Sequence, residues 1–132
     1  MAKEKLGSNA TFTGGNKGLS ILDEYAYAYS GIVSVNNSET TLLEFTTPNQ
    51  VIKGYFQNGM PIDQSDNMLH KLYLNGVLVF GYTSPSASET STPWGMYQAL
   101  IPPNTLVKLT ATNTGSSSGR DITADFVGRV YG

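Results

Sequence analysis

The chain of 132 residues contains no cysteine and a single histidine. The first absence removes disulfides, thiol nucleophiles, iron–sulfur clusters and every cysteine-based zinc site; the second removes sites built from several histidines. Charge is scarce too, with Asp, Glu, Lys and Arg making 14% of residues against roughly 25% in an average domain. The net charge of -2 and the scatter of the basic residues give no basic face, so nucleic acid is not an expected partner. Long apolar runs are missing as well. The longest, from Val77 to Phe80, has four residues, against the roughly 20 a helix needs to cross a bilayer, so no membrane span is expected. The opening MAKEKLGSNATFTGG has basic residues but no apolar segment behind them, and a secretory signal is not expected.

Small uncharged residues stand where charge is missing: Ser, Thr, Asn and Gly occupy 51 of the 132 positions. A chain of this length predicts one domain that removes about two-thirds of its unfolded surface from water, enough for a core without staples. No stretch carries apolar side chains at helical spacing, whereas short runs of period two recur between turn residues. This predicts eight strands, at 25–35, 40–47, 51–57, 68–74, 77–82, 94–101, 106–113 and 122–131. All six prolines fall between them, as they must, because proline cannot donate to a ladder. Asn75-Gly76 tolerates positive φ and predicts a type I′ hairpin.

Alternation assigns faces. Tyr25, Tyr27 and Tyr29 oppose Ala26, Ala28 and Ser30; Thr41, Leu43 and Phe45 oppose Leu42, Glu44 and Thr46; Val51, Lys53, Tyr55 and Gln57 oppose Ile52, Gly54 and Phe56. In the last strand Ile122, Ala124, Phe126 and Val130 are expected inward, with Thr123, Asp125, Arg129 and Tyr131 outward. The connections alternate between longer ones rich in Ser, Asn and Gly and tight ones. That alternation predicts an all-β, eight-stranded antiparallel jelly-roll sandwich with long loops at one end, an immunoglobulin-like sandwich being the alternative. Residues 1–24, rich in glycine and balanced in charge, predict a flexible N-terminal arm before a sandwich domain at 25–132.

Candidate chemistry is sparse. His70 lies inside a predicted strand with no nucleophile motif such as GxSxG, and reads as a structural histidine on the outer sheet face. Glu39, Glu44 and Asp125 fall on separate strands or loops and do not make a glycosidase pair. Asp63 and Asp66, in a loop of oxygen ligands, are the weak candidates for calcium, without the spacing of a calcium loop. No cofactor motif is present, and no enzymatic activity is expected. The tyrosines carry the binding signal. The stripe of Tyr25, Tyr27 and Tyr29 reads as an inward core wall, a protein interface or a platform for sugars. Trp94, followed by Tyr97, reads as a plug closing the sandwich end or as a glycan contact.

The glycine-rich leader at 8–18, the opening Tyr25-Ala26-Tyr27-Ala28-Tyr29, the hairpin Lys71-Leu72-Tyr73-Leu74-Asn75-Gly76, the turn Ile101-Pro102-Pro103-Asn104-Thr105 and the ending Phe126-Val127-Gly128-Arg129-Val130-Tyr131 together resemble the small jelly-roll decoration, or cement, proteins on the heads of tailed bacteriophages. The resemblance implies a non-enzymatic protein of the virion surface, made in the host cytoplasm. It would form a dimer or trimer and grip the major capsid protein and sister subunits. On that reading the arm and the aromatic stripe, with Phe12, Lys17, Leu19, Tyr25, Tyr27 and Tyr29, form the contact. The alternative is a carbohydrate-binding domain, for example at a fibre or spike tip, using Trp94, Tyr97 and the loops at 58–67 and 83–93.

Overall fold

A computed structural model describes residues 18–59, 67–84, 94–115 and 117–131, side chains at 59, 84 and 94–97 excepted. Among these residues ten strands form two antiparallel sheets: β1 (Ser20–Leu22), β2 (Tyr25–Tyr29), β3 (Val33–Val35), β4 (Thr40–Thr46), β5 (Val51–Gly59), β6 (Met68–Leu74), β7 (Val77–Ser84), β8 (Trp94–Ile101), β9 (Leu106–Asn113) and β10 (Arg120–Tyr131). The first sheet runs β1-β2-β10-β5-β8, with β3 also pairing β10; the second runs β4-β9-β6-β7. Within these, β2 pairs β10, β4 pairs β9, β5 pairs β8 and β6 pairs β7. Each pair is nested inside the one before, like one long hairpin rolled until β10 also meets β5 and β9 also meets β6. This is the jelly-roll order, and the immunoglobulin-like alternative does not hold.

The first predicted strand is broken in two. Gly31 takes a φ of 69° between β2 and β3, and both halves pair with β10. Ser30 bridges the break: its N–H donates to the Ala124 carbonyl at 2.9 Å, and its hydroxyl accepts the Ala124 N–H at 2.8 Å. The segment at 18–24, assigned to the arm by composition, instead leads into the sheet. Ser20–Leu22 pairs with β2 through a turn at Asp23, and Leu19 and Ile21 pack against the core.

A single core lies between the sheets. Phe126 of β10 is central, its ring centroid 4.7 Å from that of Phe56 and 5.6 Å from that of Phe45 on the opposite sheet. Burying each such ring contributes about 2–3 kcal/mol. The expected opposition of Leu42 and Leu43 fails, because a bulge between Thr41 and Leu43 turns both leucines inward. His70 departs from expectation too. It alternates in phase with the buried Met68 and Leu72, and the ring is fully buried rather than on the outer face.

The turns sort to two ends. Asn75 and Gly76 both take positive φ, as the type I′ turn requires, and Asn75 exchanges hydrogen bonds with the backbone of Leu106. At this end the Thr47 hydroxyl donates to the Pro102 carbonyl at 2.8 Å and accepts the Thr105 N–H at 2.9 Å. At the other end the backbone of Asn113 and Thr114 donates to the carbonyls of Asn36 and Asn67, gathering the longer connections.

Candidate functional site

The outward residues of the first sheet form the most distinctive surface. Strand alternation sends Ala26 and Ala28 into the core, so Tyr25, Tyr27 and Tyr29 face outward; the core-wall reading of this stripe does not hold. Because β10 lies between β2 and β5, the stripe has neighbours far away in sequence. Tyr25 stands beside Arg129 and Arg129 beside Lys53; Tyr27 stands beside Val127 and Val127 beside Tyr55; Tyr131 closes the far end opposite Val51. Tyr25, Tyr55 and Tyr131 are 51%, 50% and 49% exposed. Together with Lys53, Val127 and Arg129 they line a groove of about 320 Å³, in which the backbone of Gly54 and Gly128 also takes part.

Contacts at the groove and beside it fix side chains of this face. Arg129 donates to the Glu24 carboxylate at 2.6 Å, and its guanidinium carbon lies 5.8 Å from the Tyr25 ring centroid. The Tyr27 and Tyr29 rings lean on each other, with centroids 5.8 Å apart. The paired glycines shape the layer below. A Cβ on Gly54 would sit 2.8 Å from the tip of the Phe126 ring, and one on Gly128 3.0 Å from it. Bare backbone on both strands therefore leaves room for the ring beneath the groove. Beside Tyr29 and Gln57 lies Asp125, whose carboxyl burial pushes above the usual carboxylate range.

The opposite sheet carries a second depression, of about 380 Å³, lined by Glu39, Glu44, Tyr73, Gly76, Leu106 and Lys108. The fold thus brings together two carboxylates that the sequence reading kept apart. Their chemistry does not fit acid catalysis, because Glu39 accepts hydrogen bonds from Thr110 at 2.6 Å and Tyr73 at 2.7 Å. Those bonds hold its carboxyl below the ordinary value, whereas a general acid needs a raised one. Glu44 faces Lys108 in register. Asp125, the carboxyl that is raised, belongs to the other sheet.

A third polar feature is internal. The His70 ring stacks on Tyr82 with centroids 5.2 Å apart, and Asn58 donates to the Tyr82 hydroxyl at 3.0 Å. Both His70 ring nitrogens and the Asn58 side-chain oxygen are buried without a hydrogen-bond partner among the described residues. Burial lowers the His70 pKa to about 4, so the ring is neutral at ordinary pH.

Of the residues singled out from sequence, Tyr25, Tyr27 and Tyr29 share the outer face, while Leu19 packs against the core. Phe12, Lys17, Asp63 and Asp66 lie outside the described residues, as do the side chains of Trp94 and Tyr97, whose backbone belongs to β8. Tyr55, Tyr131, Lys53, Arg129 and Val127 were not candidates on sequence. Alternation marks the outward side of each of their strands; only the strand order brings them together.

No family model matches the chain, and no curated protein matches it. Among solved structures it is similar to a family 35 carbohydrate binding module from Clostridium thermocellum, at 17% identity and a TM-score of 0.41, covering 90% of this chain and 82% of that one. It is also similar to a structure described as "CBM4 structure and function", at 12% identity and a TM-score of 0.35, covering 86% of this chain and 75% of that one. Similarity at this level says nothing of what the chain binds.

Proposed function

We propose that the protein is a non-catalytic binding domain that holds a carbohydrate chain in the groove on the outer face of its first sheet. One observation carries this reading: Tyr25, Tyr55 and Tyr131, each about half exposed, ring a groove with Val127 among its walls and Lys53 and Arg129 at its side. A sugar ring has an apolar face of C–H groups and a rim of hydroxyls. Aromatic rings that are apolar in body and polar at the tip, set beside cationic donors, match both parts. The groove is open and shallow, suited to a chain lying across strands. Screening the protein against a glycan array and soluble polysaccharides tests this. A hit whose affinity falls at least about tenfold in Tyr55→Ala and in Tyr131→Ala, with the melting transition kept, is the expected result. Binding that survives both substitutions, or no binding to any glycan, would overturn it.

A second reading keeps the same face and changes its occupant. As a decoration protein on a phage head, the chain would press this face on the major capsid protein. Exposed Val127 and Leu100 beside the tyrosines favour it, because aromatic and apolar residues mark the centre of protein contacts. Co-sedimentation with purified phage heads discriminates the two: retention lost in Val127→Asp would favour a capsid over a glycan.

A further inference from the structure

The lining of the tyrosine groove is one-sided in charge and in hydrogen bonding. Lys53 and Arg129 are its cations, and no Asp, Glu, Asn or Gln lines it among the described residues. An ammonium carries three N–H donors and a guanidinium five, and neither has an acceptor. The hydroxyls of a neutral sugar both donate and accept, so they match donor-only groups by half. A carboxylate or a sulfate only accepts, and it matches them fully.

Register fixes where the charge sits. Lys53 and Arg129 are partners across β5 and β10, so their side chains stand next to each other on the outward face. Tyr55 follows Lys53 by two residues and Tyr131 follows Arg129 by two, which sets a ring about 7 Å further along each strand. Because the strands are antiparallel, the two rings lie on opposite sides of the cation pair. Glu24 accepts from Nη2 of Arg129 and holds that cation in place, but is itself outside the lining. Lys53 has no carboxylate against it among the described residues. In a chain of net charge -2, the groove thus carries the sign opposite to that of the whole molecule.

Building on the carbohydrate reading above, we propose that the groove selects an acidic polysaccharide. A carboxylate or sulfate group lies between Lys53 and Arg129, and the sugar rings before and after it lie against Tyr55 and Tyr131. Two strands then supply donors to one anionic group, and such charge-assisted bonds are about twice as strong as those to a neutral hydroxyl. Selectivity follows from the same arrangement. An uncharged unit at the centre covers the Lys53 ammonium without giving it a counter-charge, which disfavours neutral chains.

Calorimetric titration of the full chain with matched polymers tests the proposal: polygalacturonate against its methyl ester, dextran sulfate against dextran, and polyglutamate as an acidic chain without sugar. The expected result is that polygalacturonate or dextran sulfate binds at least about tenfold tighter than its neutral match, with affinity falling as salt rises. Binding of the first alone assigns a carboxylate, and of the second alone a sulfate. Lys53→Gln, at an exposed position, should cut the preference at least about fivefold with the melting transition kept. Lys108→Gln removes the same charge from the opposite sheet and should leave the preference intact. A loss as large in Lys108→Gln as in Lys53→Gln overturns the proposal. Equal affinity for charged and neutral chains, or no binding to either acidic polysaccharide, also overturns it, while a Tyr55-dependent neutral glycan would leave the carbohydrate reading standing. Polyglutamate held as tightly as the acidic polysaccharide, and unmoved by Tyr55→Ala, overturns both.

Discussion

Glu24 and Arg129, 105 residues apart, meet in a 2.6 Å ion pair at the end of the tyrosine groove. The same arginine lies over the Tyr25 ring, and the Glu24 carbonyl accepts the N–H of Val130 at 2.7 Å. One residue of the turn between β1 and β2 thus aligns the cation, the ring and the strand that carries the groove.

Both charges are half exposed, so the pair adds little to stability, and Glu24→Gln should shift the unfolding free energy by less than about 1 kcal/mol. The positioning effect is separate. Freed from Glu24, Arg129 samples more rotamers, and affinity for the glycan proposed to occupy the groove should fall several-fold. Denaturant melts and titrations on the same preparations check the contrast, and a large stability loss with unchanged affinity would contradict it.

His70 gives a pH dependence with a definite sign. Burial lowers its folded pKa from the ordinary 6.5 to about 4, so in the interval between them the unfolded chain binds a proton that the folded chain does not. Stability is complete above pH ~6.5 and falls as pH drops toward ~4, by about 3 kcal/mol across the window. His70→Phe keeps a flat ring against Tyr82 and removes the titration. Urea unfolding at several pH values should show a flatter profile over this interval in the variant, and parallel profiles would refute the assignment.

Gly54 and Gly76 separate two uses of glycine. At Gly76 a Cβ meets nothing within 4 Å, but the φ of +80° is unfavourable for any L side chain, so Gly76→Ala should cost about 1 kcal/mol. At Gly54 the Cβ would press on the Val127 carbonyl oxygen and lie 2.6 Å from the Gly128 Cα. These are backbone atoms of the neighbouring strand and move only if the ladder opens, so Gly54→Ala should cost at least about 3 kcal/mol. Melting curves of the two variants should differ clearly in this order.

Phe126 touches Phe56 on its own sheet and Phe45 on the opposite one, so it ties the two layers together. Phe126→Ala should cost about 3–5 kcal/mol and Phe126→Leu markedly less, because leucine refills most of the cavity. Equal losses in calorimetry would mean that ring volume is not what holds the sheets together.

The strands were legible because their signals are local. Prolines at 48, 102 and 103 and the Asn75-Gly76 pair mark breaks that the fold respects. Alternation through Lys53-Gly54-Tyr55 and Val127-Gly128-Arg129 also separates the two faces correctly. Adjacency is what alternation lacks. The jelly roll sets β10 between β2 and β5, and that placement gathers Tyr25, Tyr55 and Tyr131, from three separate strands, into one groove. The misplacements have local causes. His70 was put outside for its polarity, yet its phase with Met68 and Leu72 carries it inward. Leu42 and Leu43 share a side because a bulge adds one residue without any mark in the sequence, and Gly31 breaks the first strand as a single residue in the left-handed region.

Strand β10 pairs with β2, β3 and β5, and so forms the spine of the first sheet. On a ribosome that spine emerges after every other strand described here. Until residues 120–131 leave the exit tunnel, β2 and β5 have no common neighbour, the groove has no floor, and Phe45 and Phe56 lack the ring that joins them. The nascent chain can form the Asn75-Gly76 hairpin early, because its contacts are local, but closure of the sandwich waits on pairings of the longest sequence separation. A messenger truncated even shortly before codon 120 would therefore yield a chain with an exposed half-sheet, a substrate for proteolysis rather than a weakened binder.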